Sequence, residues 1–272
     1  MKITHYLYNA FVIETEDKKL AIDPGGLMFY FFRFSSLIPR TEWADITHVF
    51  VTHGDPDHFW HADRMLEASG APLICNENMF HVVDGQPFML GPRSKGLTFT
   101  TPVKRSHTLK VDETIEVDEM SVTGLKATHG PLSFKVGLFT KTLTPGPEER
   151  IGWGAIGFKI ELEGKILVNL GDTLIHLEEW KSIENPDVLM IPIGGKKIPN
   201  TMNEAEALEV VKMMKPKLVI PCHYDCPALF SKNYNPADAD WFKTEVEKAG
   251  SRCALLKSGE HIEVSSKKLA EA

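Results

Sequence analysis

Within Thr52-His53-Gly54-Asp55-Pro56-Asp57-His58, two imidazoles and two carboxylates fall inside six positions. Such a crowd is costly to hold together unless a cation neutralises the carboxylates and takes up the imidazole lone pairs. On a tight turn, residues two apart can face one metal while the adjacent Asp57-His58 pair faces a second. Three further segments carry the same kind of side chain. His129 sits in Ala127-Thr128-His129-Gly130, Asp172 in Gly171-Asp172-Thr173, and His223 opens His223-Tyr224-Asp225. Taken singly, His129 reads equally well as a surface-turn histidine, Asp172 as a turn cap and His223 as a satisfied core histidine. Four such sites, each at the end of an apolar run, favour one shared metal centre.

The elements that must position these groups are short strands and a few helices. Ile46–Val51 reads as a buried strand, and Gly54 and Pro56 make the next segment a loop rather than a helix. Lys2 to Pro24 reads as a hairpin with strands Ile3–Thr15 and Lys19–Asp23. His61–Ser69 reads as a helix closed by Gly70, and Leu73–Cys75 as a strand. Residues 85–95 read as a Gly- and Pro-rich loop. Thr114–Glu119 and Met120–Ala127 lead to His129. Ala155–Glu161 and Lys165–Leu170 form a hairpin around Glu163-Gly164. Asn203 caps a helix to Met214, with Glu206 completing a capping box and Pro216 just beyond. Asp240–Ala249 reads as a helix, and Leu255–Lys257 with His261–Val264 as a last strand pair. The Lys267-Lys268 tail is expected to fray. These alternating elements predict an α/β protein of stacked layers, with residues 1–272 as one domain.

Composition narrows the function classes. The chain has 272 residues, a formal charge of −7, 43% hydrophobic and 25% charged residues. That suits a globular enzyme and offers no bulk attraction to nucleic acid. The four cysteines show no CxxC pair and read as reduced thiols, with Cys222 a buried inert one. Met1-Lys2-Ile3-Thr4-His5 enters strand-like alternation with no apolar signal core, so the expected compartment is the cytoplasm. The greasiest stretch, Leu27–Ile38, contains Arg33 and is too short to span a bilayer. It is expected to line the substrate mouth or a contact between copies of the chain, which leaves a homo-oligomer open.

The ligand series His53, Asp55, Asp57, His58, His129, Asp172, His223 resembles that of the metallo-β-lactamase superfamily. Met1 to Pro24 looks like that family's opening hairpin, ending in Ala21-Ile22-Asp23-Pro24-Gly25. Ile191-Pro192-Ile193-Gly194-Gly195, Thr201-Met202 and Pro221-Cys222-His223-Tyr224 look like the branch containing ascorbate-6-phosphate lactonase and related metal-dependent hydrolases. The resemblance implies a four-layer αββα sandwich and two divalent ions, Zn, Mn or Fe. His53, Asp55 and His129 would hold the first ion, Asp57, His58 and His223 the second, and Asp172 would bridge both. Asp55 departs from the pattern, standing where the family has a second histidine. A carboxylate is a harder ligand than imidazole, so the first site should lean toward Mn2+ or Fe2+.

The implied chemistry is hydrolysis of an ester, lactone or phosphoester bond in a small, anionic-capable substrate. Two ions about 3.5–4 Å apart can share a water and lower its pKa, giving a bridging hydroxide. Asp57 and Asp172 are the expected catalytic carboxylates. Arg150, Lys196 and Tyr224 are candidate substrate contacts, and the segment from Phe139 to Trp153 a candidate lid. The alternatives are a di-iron redox protein, which Asp55 encourages, and a metal-binding member of the fold without turnover.

Overall fold

The computed structural model describes residues 1–28, 34–83, 86–89, 103–136, 139–145, 151–227 and 232–265. Two seven-stranded sheets form the frame. Across the first run Ser106–Leu109, Leu73–Asn76, His48–Val51, Lys19–Ile22, Phe11–Glu14, Lys2–His5 and His261–Glu263. Across the second run Thr114–Val117, Met120–Lys126, Ile156–Leu162, Lys165–Asn169, Val188–Pro192, Leu218–Cys222 and Arg252–Cys253.

Side-chain alternation along the strands sets the layers. Phe11, Ile13, Leu20, Ile22, Phe50 and Ile74 of the first sheet meet Phe158, Ile160, Leu167, Val188, Met190 and Ile220 of the second in one buried cluster. The intervening residues Val12, Ala21, Val49, Val51, Leu73 and Cys75 face the other way, onto Trp43, Phe59, Ala62 and Met65. On the far side, Val168, Leu189, Ile191 and Val219 pack under Trp180, Leu208, Val211, Phe242 and Val246. Both faces of the central strands are therefore buried, and those strands read as continuous apolar runs for that reason. The result is the expected αββα sandwich. Each large residue buried in it contributes about 1.5–3 kcal/mol of transfer free energy.

The helices follow their caps. Ala62–Ser69 ends at Gly70 with φ 71°, and Glu204–Met214 starts at Asn203, whose side chain accepts from Ala205 N and Glu206 N in a complete capping box. Ala239–Lys248 begins at Asp238, which accepts from Trp241 N.

Several expectations are corrected. The first strand does not run from Ile3 to Thr15. It breaks at a turn where Tyr6 N–H donates to Ala10 O, and Tyr8 takes φ 58°. Pro56–Phe59 is one helical turn rather than loop, because Pro56 stands at the first helical position, where its missing N–H costs nothing. Gln86–Met89, expected as loop, pairs with Phe80–Val83. Part of the expected lid is a hairpin, Leu132–Val136 with Phe139–Leu143. The expected last strand pair does not form: Leu255–Lys257 is irregular, the strand before it, Arg252–Cys253, joins the second sheet, and His261–Glu263 pairs with Lys2–His5 in the first. Residues 29–33 of the aromatic segment, Arg150 and the Lys267-Lys268 tail lie outside the described residues. Among the described residues no helix is long and apolar enough to cross a membrane.

Candidate metal centre

The candidate ligands gather at one rim of the sandwich. His53 follows the strand His48–Val51, and Asp55 is the cap of the Pro56–Phe59 turn that carries Asp57 and His58. His129 lies beyond the strand Met120–Lys126, Asp172 beyond Lys165–Asn169, and His223 directly after Leu218–Cys222. The end of His48–Val51 in the first sheet thus delivers four side chains, and three strand ends of the second sheet deliver one each, to a common point.

Their ligand atoms fall into three overlapping groups, each within 4.8 Å: His53, Asp55 and His129; Asp57, His58 and His223; and His53, His58 and Asp172. Asp55 Oδ2 lies 3.5 Å from His53 Nε2 and 3.3 Å from His129 Nε2. Asp57 Oδ2 lies 3.5 Å from both His58 Nε2 and His223 Nε2. Asp172 Oδ2 reaches across both groups, at 2.9 Å from His223 Nε2, 3.7 Å from His58 Nε2 and 3.9 Å from His129 Nε2.

The donor set fits divalent cations. His53 Nε2, His58 Nε2, His223 Nε2 and Asp172 Oδ1 are buried without a hydrogen bond. Buried polar atoms are almost always paired, so four orphans converging on one point mark a place for a missing partner. The electrostatics agree. Burial acts to raise the Asp57 carboxyl, but the His58 and His223 imidazoles hold it well below the usual carboxylate range. Asp172 is lowered against the same burial by His223 and His58, and Asp55 by His129 and His53. Burial acts to lower His58, but Asp57, Asp23 and Asp172 raise it well above its ordinary value.

The profile of the family described as Beta-lactamase superfamily domain matches residues 2–223. The chain belongs to that superfamily. A Desulforamulus reducens protein named UPF0173 metal-dependent hydrolase is 28% identical over 267 residues, covering 97% of this chain and all of its own length. Igni18, described as a metallo hydrolase from Ignicoccus hospitalis, superposes with a TM-score of 0.68 at 22% identity, covering 96% of this chain and 97% of its own. CmlA, a diiron β-hydroxylase from Streptomyces venezuelae, superposes with a TM-score of 0.62 at 13% identity, over 96% of this chain and 54% of that one. The last two likenesses concern fold.

In this superfamily member the imidazoles are held from behind. His58 Nδ1 lies 2.7 Å from Asp23 Oδ2, which leaves Nε2 facing the cluster. Asp23 in turn accepts from Thr52 N, Thr52 Oγ1 and Asn9 Nδ2, each at 2.7 Å. Asn9 and Asn169 exchange side-chain hydrogen bonds at 3.0 and 3.1 Å, and so join the two sheets under the site. His129 Nδ1 donates to Gly130 O at 2.6 Å. Asp55 is steadied by Gly152 N–H, which donates to its Oδ1 at 3.0 Å and leaves Oδ2 toward His53 and His129. The carboxylate that departs from the superfamily pattern therefore has its own backbone donor.

The candidate substrate contacts fare differently from the ligands. Tyr224 does not face the cluster. It packs with Leu255, Ala237 and Ala239 against the outer core, where burial pushes its phenol up to about 12. It also lines a cavity of about 370 Å3 with Asp225, Leu256 and Lys257. Lys196 is exposed on the loop between Gly195 and Asn200. The phenols that do approach the centre are Tyr8 and Tyr234. Tyr8 stands edge-on to His223 with ring centroids 5.6 Å apart, its hydroxyl donating to Pro227 O. Tyr234 lies beside it at 6.3 Å, its phenol raised by burial and then by Asp57. Tyr8 sits in a turn read as strand, and Tyr234 in Asn-Tyr-Asn-Pro, which signals only a turn. All four cysteines are free and buried, and Cys222 Sγ donates to Asn9 Oδ1 at 3.3 Å.

Proposed function

We propose that this protein is a metal-dependent hydrolase that binds two divalent cations and cleaves an ester, lactone or phosphoester bond of a small substrate. One observation carries the reading: the group of His53, His58 and Asp172 links the other two ligand groups, sharing His53 with one and His58 with the other, with four buried orphan atoms between them. His53, Asp55 and His129 would hold one cation, Asp57, His58 and His223 the other, and Asp172 both. The names of the relatives point the same way.

Bound there, divalent cations would supply Lewis acidity and lower the pKa of a water toward neutrality. The residues do the rest. Asp57, whose side chain is 21% exposed, is the carboxylate with a path to the open side. Its carboxylate would take the proton of the attacking water and pass it to the leaving oxygen. Asp172 is buried and holds its carboxylate fixed between the two imidazole sets. Tyr8 and Tyr234 wall the side next to His223 and limit water access there. Lys196, and Arg150 outside the described residues, would attract an anionic group.

The test is a screen of metal-depleted protein, reloaded with Mn2+ or Zn2+, against lactones, phosphodiesters and thioesters. Hydrolysis of one class should vanish with chelator and return with metal. Turnover that survives chelation, or a chain that takes up no cation, overturns the reading.

A second reading is favoured by one residue. Asp55 gives the first set an oxygen donor, and the fold is shared with the diiron protein CmlA. The preference can be measured. Asp55→His should move the first set from Mn2+ or Fe2+ toward Zn2+ by about tenfold in competition experiments. An unchanged order of affinity would mean that Asp55 does not contact the cation.

A further inference from the structure

The loop from Gly194 to Asn203 carries none of the candidate ligands, yet three ligand-bearing segments hang from it. Gly130 N–H, next to His129, donates to Asn200 O at 2.7 Å. Thr173 N–H, next to Asp172, donates to Thr201 Oγ1 at 3.2 Å, and Met202 N–H donates back to Thr173 O at 2.9 Å. On the third side the attachment runs through side chains. Asn235 Nδ2 donates to Asn200 Oδ1 at 3.1 Å, and the same Nδ2 lies 3.0 Å from His223 Nδ1.

His223 needs such a clamp. Its backbone has φ 52°, a region that disfavours a residue with a side chain, so local preference alone does not aim the ring. Its N–H donates to Tyr8 O at 3.1 Å, and Tyr8 closes one face of the ring. At the ring edge its Nδ1 meets Asn235, which is fully buried. Gly194 permits it, because a Cβ there would lie 2.1 Å from His223 O and 2.8 Å from Asn235 Cβ.

A carboxamide has the same shape either way round. With Nδ2 toward the ring, His223 Nδ1 accepts, and the imidazole proton sits on Nε2, which points at Asp172 Oδ2 at 2.9 Å. With Oδ1 toward the ring, Nδ1–H donates to it, and Nε2 turns a lone pair to the same point. Only the second arrangement suits a cation ligand. Asn235 Oδ1 is buried without a hydrogen bond, so nothing ties the amide to the first arrangement through that atom. Asn200 is an amide too and can turn with it, donating to Asn235 Oδ1.

We propose that Asn235, steadied by Asn200, is the positioning residue for His223: its carboxamide sets which imidazole nitrogen carries the proton, and so whether Nε2 joins Asp57 and His58 around a cation. This rests on the two-cation reading above. Asn200 also anchors the His129 turn through its backbone, so one residue ties together a ligand from each set.

The test is Co2+ titration of the chelator-treated full chain, followed by d–d absorption and bound metal, with circular dichroism to check the fold. Wild type should bind two Co2+. Asn235→Ala should keep one tightly held Co2+ and bind the other 10–100-fold more weakly, as loss of a ligand's supporting partner does elsewhere, with one set of d–d bands lost at limiting metal (about 10–100-fold). Asn235→Asp, whose carboxylate can only accept from Nδ1–H, should stay within about threefold of wild type. Asn200→Ala carries the comparison if Asn235→Ala does not fold, and should weaken the same Co2+. Two Co2+ bound by Asn235→Ala with wild-type affinity, or an Asp variant as weak as the Ala variant, overturns the role of Asn235 alone. Wild type binding fewer than two Co2+ overturns the two-cation reading and this proposal with it.

Discussion

Asp57→Ala should abolish hydrolysis, with a fall of about 10²–10⁴-fold from loss of the proton-transferring carboxylate alone and more where a cation is lost with it. The reasoning is geometric. Asp57 Oδ2 sits 3.5 Å from each of two buried imidazoles, His58 and His223, and it is the carboxylate of the second set. Its removal leaves those imidazoles with Asp172 as their shared acid. The variant should still fold, because the Asp57 side chain is 21% exposed and leaves no large void in the core. Steady-state rates and bound metal would be measured side by side on wild type and variant. Full activity in Asp57→Ala would show that the reaction is carried elsewhere.

Gly25→Ala should damage the same site from outside it. A Cβ at Gly25 would lie 1.7 Å from Asp57 O, 2.0 Å from Asp57 C and 2.6 Å from His58 N. All three are backbone atoms of the ligand turn, so no side chain can swing aside. Either the Pro56–Phe59 turn moves or the Asp23–Gly25 segment does. Overpacking of this kind costs about 1–3 kcal/mol and sometimes more. In a chain of this size about 3 kcal/mol lowers Tm by roughly 6–12 °C. Thermal melting and metal content are the measurements, and both should fall together. A variant with wild-type Tm and a full complement of cations would show that the two segments are not in contact.

The gathering of the candidate ligands is legible because their chemistry is dense and local. His53 to His58 cannot be explained as an ordinary turn, and each partner follows a buried strand that announces itself as an apolar run. The sandwich was legible through the same runs, since strands covered on both faces have no polar alternation to blur them. The groups that support the ligands were not. Asn9, Asn200 and Asn235 are polar residues in turns, and nothing in their neighbourhoods distinguishes a buried clamp from a solvated loop. Only the contacts Asn9–Asp23, Asn200–Asn235 and Asn235–His223 reveal them. Tyr224 drew notice by adjoining His223, but neighbours on a chain can point opposite ways, and it faces the outer core. The pairing of the final strands failed for a related reason. Alternation marks a segment as a strand but carries no information about which sheet edge is open to receive it.

The Asn9 side chain meets the Cys222 thiol although the two are 213 positions apart. At about 5–20 residues per second, a ribosome needs on the order of 10–40 s to make the intervening chain. Until Met120–Lys126, Ile156–Leu162 and Lys165–Asn169 are made, the inner face formed by Phe11, Ile13, Leu20 and Ile22 lacks most of the surface that will cover it, and the last of that surface arrives only with Leu218–Cys222. A nascent polypeptide of this design spends its synthesis with a greasy β-face awaiting a late mate, the circumstance in which chaperone escort guards against clumping.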